Sequence, residues 1–376
     1  RYDIELNDEE PLTIQADYFS TSADANFYIP NAIPLPNLQF PGHTLTPSSK
    51  NHRGFNSLAR WTNQISDTSD IQIQAYIDTF HYESLIIDER RTTYDIEFQH
   101  RFTLGERNEI VWGLGYRHSQ DSFDMTQLAT LDPEKETTDL FSVFIQDEFR
   151  VTDNLKVIAG TKLEHNDYTA FEFQPTLRTL WSPTQNQTLW ASVSRAVRTP
   201  NRAENDIRLL YQPLPGFTEL PAPGIVLGTH NFESVELIAY EIGCRHVFGK
   251  KVMADLAAFY NDYEKDRNFG PVANPTVPPF NVPLQLNNDL SYVTRGFELT
   301  LDYRPINRWL LRGNYAFIDS SDEGIGLNAA EQQFALANQL NFTSNVYADT
   351  TLRFVDVVDE LFIEDYLTLD ARIGWK

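Results

Sequence analysis

The side chains best suited to chemistry sit at a polar hinge, Arg198-Thr199-Pro200-Asn201-Arg202. A guanidinium presents a fixed fork of donors that matches carboxylate and phenolate oxygens, so Arg198 and Arg202, with Asn201 between, suit an anionic ligand. The plainer reading is that Arg198 pairs with carboxylates nearby and that Thr199-Pro200 ends a strand, since proline cannot donate to a ladder. A second set, Glu241, Arg245, Glu298, Asp302, Arg304, Arg312, Asp370 and Arg372, shares one parity of alternating segments. Both signs on one wet face point to ion pairs that brace a wall more than to ligand contacts. Tyr28, Phe40, His43, His52, Tyr211 and Phe217 fall in segments read as outer loops, where rings can stack on a flat ligand or simply pack the loop. His118 near Asp121 and Asp124 is the closest approach to a catalytic cluster, yet no nucleophile or orienting third group accompanies it. No G-x-S-x-G, H-E-x-x-H or phosphate-binding glycine loop occurs. Cys244 is the only cysteine, which excludes an internal disulfide and a cysteine metal site. No enzyme, no metal site and no cofactor are expected.

These residues need a scaffold, and the segment from Thr138 to Arg202 shows its kind. Phe141, Val143, Ile145 and Phe149 share one face, against Ser142, Gln146, Glu148 and Arg150. After a turn at Thr152-Asp153-Asn154, Leu155, Val157, Ala159 and Leu163 oppose Lys156, Gly160, Lys162 and Glu164. Period-two alternation marks strands with one apolar and one wet face. The pattern recurs: Tyr94, Ile96, Phe98 and Phe102 oppose Asp95, Glu97, Gln99 and Arg101, and Phe297, Leu299, Leu301 and Tyr303 oppose Glu298, Thr300, Asp302 and Arg304. About seventeen strands are read, joined by short turns on one side and long excursions on the other. The excursions span roughly 21–54, 199–231 and 266–290, with Pro, Asn or Ser prominent in each, and a polar loop covers about 119–136.

The strands run to ~10 residues or more, close to what a tilted strand needs to cross a bilayer. Polar exceptions on the apolar face, Asp147, His100, His246 and Arg195, fall near strand ends, where charge costs least. No run of ~18 apolar residues exists, so no transmembrane helix is expected, which leaves strands free to cross. Aromatics make up 13%, as interfacial girdles require. The net charge of -23 lacks the basic footprint that nucleic acid demands. The fold class is therefore all-β, a transmembrane antiparallel β-barrel with outer-membrane lipid against its apolar face. A soluble sandwich, solenoid or propeller is the competing architecture.

The stretches FSVFIQDEFRVTDNLKVIAGTKLEHND and LWASVSRAVRTPNRAE, then ESVELIAYEIGCRHVF and VMADLAAFYNDYEK, resemble the barrel of TonB-dependent outer-membrane receptors. TRGFELTLDYRP and YLTLDARIGWK are similar to later strands of the same barrel. The resemblance implies active uptake of a scarce, large nutrient, most often a ferric siderophore, across the outer membrane of a Gram-negative bacterium. It implies a barrel of about 22 strands around a plug, driven through a TonB energy-transducing complex. Against that pattern, residues 1–376 read as an incomplete barrel with no plug domain, no TonB-contacting box and no closing strands. On this reading Glu241, Arg245, Glu298, Asp302, Arg312 and Arg372 form a lumen charge network. The ligand-binding candidates are Arg198, Asn201, Arg202, Tyr211, His43 and His52. A histidine of the 21–54 loop could ligate haem iron, but the loop motif of haem receptors is not found. Cobalamin, haem, nickel chelates and oligosaccharides stay open as cargo beside the siderophore, and a passive porin is the rival function.

Overall fold

The computed structural model describes residues 2–5, 11–30, 43–124, 126, 129–211, 224–272, 283–321, 329–358 and 363–375. The first six strands are β1 (Tyr2–Glu5), β2 (Pro11–Pro30), β3 (His43–Ser66), β4 (Ser69–Glu83), β5 (Asp88–Leu104) and β6 (Asn108–Asp124). After β7 (Ala129–Leu131) come β8 (Lys135–Thr152), β9 (Leu155–Asn166), β10 (Ala170–Thr184) and β11 (Gln187–Arg198). A helical turn, α1 (Arg202–Asp206), leads into β12 (Ile207–Tyr211) and β13 (Gly224–Leu227). The rest are β14 (Val235–Phe248), β15 (Val252–Pro271), β16 (Pro283–Ile306), β17 (Trp309–Ser320), β18 (Gln332–Asn341), β19 (Val346–Val355) and β20 (Tyr366–Trp375). Three of these twenty strands, β7, β12 and β13, leave the wall. The other seventeen form one antiparallel meander, each paired with the next, and match the number expected from alternation. No pairing joins β1 to β20 among the described residues, so the wall is an open, incomplete barrel.

Among the described residues, the apolar face carries no second layer of protein. Ile96, Ile145, Leu256 and Ile242 stand exposed along it, the last by 62%. A sandwich would bury such rows; a row left bare over this many strands must face hydrocarbon. Aromatic residues bracket the row. Tyr94 and Phe102, Phe141 and Phe149, and Tyr240 and Phe248 each stand eight residues apart on that face. Eight steps make about 26 Å of strand, or roughly 20 Å of height at the usual tilt, near the thickness of an outer-membrane apolar band. His100 interrupts the row as part of a hydrogen-bonded cluster. The Trp112 indole N–H donates to its Nδ1 (3.2 Å) and its Nε2 lies 3.0 Å from the Ser69 hydroxyl. Arg195 meets the Glu236 carboxylate at 2.8 Å above the band.

On the polar face, cross-strand rings lie over glycines. A Cβ at Gly243 would run into the Trp190 indole opposite it. Gly243→Val is expected to push that ring aside and cost about 1–3 kcal/mol, read as a lower midpoint of the heat-dependent gel shift.

The structure revises the outer ends. The 21–54 excursion is mostly ladder, since β2 and β3 stay paired from Leu12↔Trp61 to Pro30↔His43. Pro47 falls where β3 is an edge strand among the described residues, for its pairing with β4 begins only at Asn51. Strands likewise reach Asp124 and resume at Lys135, and β15 and β16 extend to Pro271 and from Pro283. Beyond the bilayer both faces are wet, so alternation fades while the ladder continues. Periodicity reports burial, not pairing.

The stretch after Arg202 also departs from the expected plain loop. β12 pairs with β7 and β13, and β13 runs parallel to the start of β16. This small sheet forms a cap at the outer end. Phe123, Leu131, Ile225, Phe232, Val235 and Leu286 are buried in and around it, which makes it the best-packed apolar cluster among the described residues.

Candidate functional site

The hinge arginines anchor the cap to the wall. Asn201 is the N-cap of α1: its side chain accepts from the Glu204 N–H (3.1 Å), and the Glu204 carboxylate accepts from the Asn201 N–H (3.0 Å). This capping box satisfies two donors that a one-turn helix would otherwise leave bare. The same Glu204 carboxylate, 1% exposed, takes both Arg198 guanidinium nitrogens at 2.9 Å. Arg202 is 5% exposed on its side chain and faces three carboxylates: Asp206, Glu136 at 2.8 Å and Asp121 at 3.3 Å. It also donates to the Pro133 carbonyl and lies 5.8 Å from the Phe123 ring. Asp121 and Glu136 come from β6 and β8, so one guanidinium ties α1 to two wall strands. Burial pushes the Glu136 and Asp206 carboxyls up from their ordinary values, against the pull of Arg202. The Tyr168 phenol beside Glu136 is raised by the same burial. Gly228 lets the chain pass α1 closely, for a Cβ there would meet the Asn205 carbonyl carbon at 2.6 Å.

Beneath this knot the polar face is hollowed. One hollow of about 450 Å³ runs from Asn56 and Leu58 past Tyr76 and Asp78 to Arg91 and Arg117. A second, about 260 Å³, shares Arg91, Arg117 and Ser119 and continues to Tyr168, Asn201 and Arg202. Arg117 donates through Nε to Asp95 (2.9 Å) and holds its guanidinium 6.0 Å from the Tyr76 ring. Arg91 pairs with Glu89 at 2.8 Å and lies 5.8 Å from the Phe80 ring. Burial raises the Glu89 carboxyl. With 36% and 45% of their side chains exposed, these two arginines can still present donors to a negatively charged guest.

The candidates named from sequence are thus partly gathered. Asn201 and Arg202 line the smaller hollow, and Arg198 stands at the end of β11 with its fork on Glu204. His52 is a strand residue of β3, not a loop residue, and is ringed by Phe19, Phe80 and Tyr82. His43 opens the same strand, nine residues away, which is about 30 Å of extended chain, so the two histidines do not share a loop. Tyr211 closes β12; its side chain and that of His43 lie outside the described part of the structure, as do those of Tyr28, Phe40 and Phe217. In the lumen set, Arg312 grips Asp302 with two bonds (2.6 and 2.7 Å) and Arg245 donates to Asp255 at 2.6 Å. Glu241 accepts from Ser192 at 2.7 Å, Arg372 donates to the Tyr347 hydroxyl at 2.7 Å, and Glu298 shares the face. His118 bonds Asp139 at 2.7 Å while Asp121 turns to Arg202, so the suspected His–Asp cluster is split between faces. Sequence reasoning passed over Arg91 and Arg117. Both sit on the polar parity of the two most regular strands, where nothing local sets them apart from bracing charges.

Comparison with known proteins follows the same line. No curated protein matches the sequence. Among solved structures, the siderophore receptor PirA from Pseudomonas aeruginosa aligns with a TM-score of 0.74 at 14% identity, over 100% of this chain and 63% of that one. A G324V mutant of the ferric enterobactin receptor PfeA from the same organism gives 0.73 at 14%, over 100% and 60%. The FrpB iron transporter of Neisseria meningitidis gives 0.71 at 14%, over 98% and 63%. The chain therefore spans about three fifths of these structures, and at such identity they speak for the fold alone. The model of the TonB dependent receptor-like beta-barrel matches residues 1–376, its whole length, and the chain belongs to that family.

Proposed function

We propose that the full-length protein is an active transporter of the Gram-negative outer membrane that takes up a ferric siderophore under TonB coupling. The observation that carries this is the pair Arg91 and Arg117, two partly exposed forks in adjoining hollows at the outer mouth of the wall. Support comes from fold neighbours named as siderophore and iron receptors. A chelate arriving from outside meets the cap and the hollows first, and its anionic oxygens are held by guanidinium donors. Its onward passage needs displacement of a plug by the energy-transducing complex, and the ion pairs of the lumen face brace the wall around that plug.

The test uses full-length protein in a receptor-deficient host under iron starvation. Growth should be rescued by at least one defined ferric siderophore. The double variant Arg91→Ala, Arg117→Ala is expected to weaken binding about 100-fold, as losing two charge-assisted contacts implies. Failure with every ferric chelate removes the iron assignment. A steady open conductance in planar bilayers would favour a passive channel instead.

A further inference from the structure

We infer that the mouth selects a ferric chelate presenting flat, anionic aromatic rings, the catecholate type, over a chelate with aliphatic hydroxamate arms. The inference rests on the uptake reading above and names the ligand chemistry of that site.

The ground is a patch of rings on the wrong face for rings. Phe19, His52, Phe80 and Tyr82 project from β2, β3 and β4 on the polar parity, where Gln15, Asp17, Asn56 and Asp78 also point. They lie on the outer-end side of those polar neighbours, away from the apolar band. His52 is their hub, with centroids 4.8 Å from Phe19, 5.7 Å from Phe80 and 5.9 Å from Tyr82, each nearly perpendicular. Gly54 stands opposite both Phe19 and Phe80, and a Cβ there would come within 2.6 Å of the Phe19 ring. A glycine at that point makes room for the Phe19 ring, and the four rings of the shelf are half-buried.

Cations are set against the rings strand by strand. Phe80 is the direct cross-strand partner of Arg91, whose guanidinium lies 5.8 Å from it. Tyr76 pairs with Asp95, which pairs with Arg117, whose guanidinium lies 6.0 Å from the tyrosine ring. The Nε of Arg91 is buried with no hydrogen-bond partner, a donor still to be satisfied. Rings alone would suit any apolar guest, and arginines alone any anion. Alternated, they suit a guest whose flat faces stack while its edge oxygens accept from guanidinium. A catecholate iron complex is both aromatic and strongly anionic. A hydroxamate complex is neutral and aliphatic, and gains neither contact. The 450 Å³ hollow bounded by Tyr76, Arg91 and Arg117 lies within the usual size for a small-molecule site.

The experiment is equilibrium binding of two iron complexes, a tris-catecholate and a tris-hydroxamate, to the full-length receptor in detergent. The catecholate should bind about 100-fold tighter, and Phe80→Leu or Arg91→Gln should each weaken it about 10-fold while leaving the hydroxamate unchanged. Heat-modifiable migration confirms the barrel of each variant, and Tyr82→Leu replaces any variant that loses it. Equal or tighter hydroxamate binding overturns the inference and leaves the uptake reading standing, as does an equal loss for both complexes in Phe80→Leu. Binding of neither complex overturns the inference, while the uptake reading falls only if growth is rescued by no ferric chelate.

Discussion

Arg202→Met is expected to release the cap while the wall stays folded. Arg202 is the cation on which Asp121, Glu136 and Asp206 converge, and its removal leaves buried carboxylates facing one another. Breaking a buried pair on one side typically costs about 3–5 kcal/mol. The loss falls locally, because α1, β12 and β13 owe their position to this knot whereas the meander is held by its own ladders. Hydrogen exchange at residues 203–211 and 224–235 should therefore accelerate by about 100-fold or more, with the heat-dependent gel shift unchanged. Arg202→Lys should recover little, since a point charge cannot reach two strands, α1 and the Pro133 carbonyl together. The pH dependence has a definite sign. Glu136 and Asp206 are raised by burial, so the folded cap binds protons more readily than the unfolded chain. Their contribution to stability is full below the ordinary carboxylate range and is lost as pH rises through the raised values. Glu89, also raised by burial, acts in the same direction on acidification. Cap exchange in the native protein, corrected for the intrinsic pH dependence of exchange, should thus slow as pH falls from neutral towards the ordinary carboxylate range, and the Arg202→Met defect should shrink over the same interval. Cap protection that ignores both pH and Arg202 would show that the apolar cluster alone holds it.

Leu256→Arg is expected to cost about 2–4 kcal/mol in a bilayer, against little for Ala257→Arg one residue on. Leu256 stands on the lipid side of β15 between Cys244 and Leu299, whereas Ala257 turns inward opposite Glu298. The comparison isolates the medium, because both changes add the same side chain to the same strand. Urea unfolding from phospholipid vesicles reads it directly. Equal costs at the two positions would contradict hydrocarbon on one side and water on the other.

The wall was legible because the bilayer imposes its own spelling. From Tyr94 to Phe102 each apolar residue faces lipid, and each polar neighbour except His100 faces the interior, so parity identifies both faces. The same rule explains what was lost. Above Tyr18 and Phe55 neither side meets lipid, so β2 and β3 continue through Ser, Asn and Pro without an alternating signal. The cap strands, three to five residues long, are shorter than any period that alternation can register. At the site, the hinge pointed to Arg198, Asn201 and Arg202 because Thr-Pro breaks a strand beside two guanidinium groups. It held no trace of Asp121 or Glu136, which arrive from strands far back along the chain. His52 read as a loop residue for the reason that hid its strand. Only pairing with β2 and β4 brings the Phe19, Phe80 and Tyr82 rings around it.

The strap from β7 through β12 and β13 to β16 has a kinetic corollary. Its feet are separated by six wall strands, β8 to β11, β14 and β15, and its ladders are among the most non-local in the molecule. Closing so long a loop is repaid only after the intervening hairpins have zipped in order. The strap must therefore be among the last pieces to acquire protection as the chain inserts. Its appearance in a pulse-labelling experiment would mark the moment when that arc of the wall is complete.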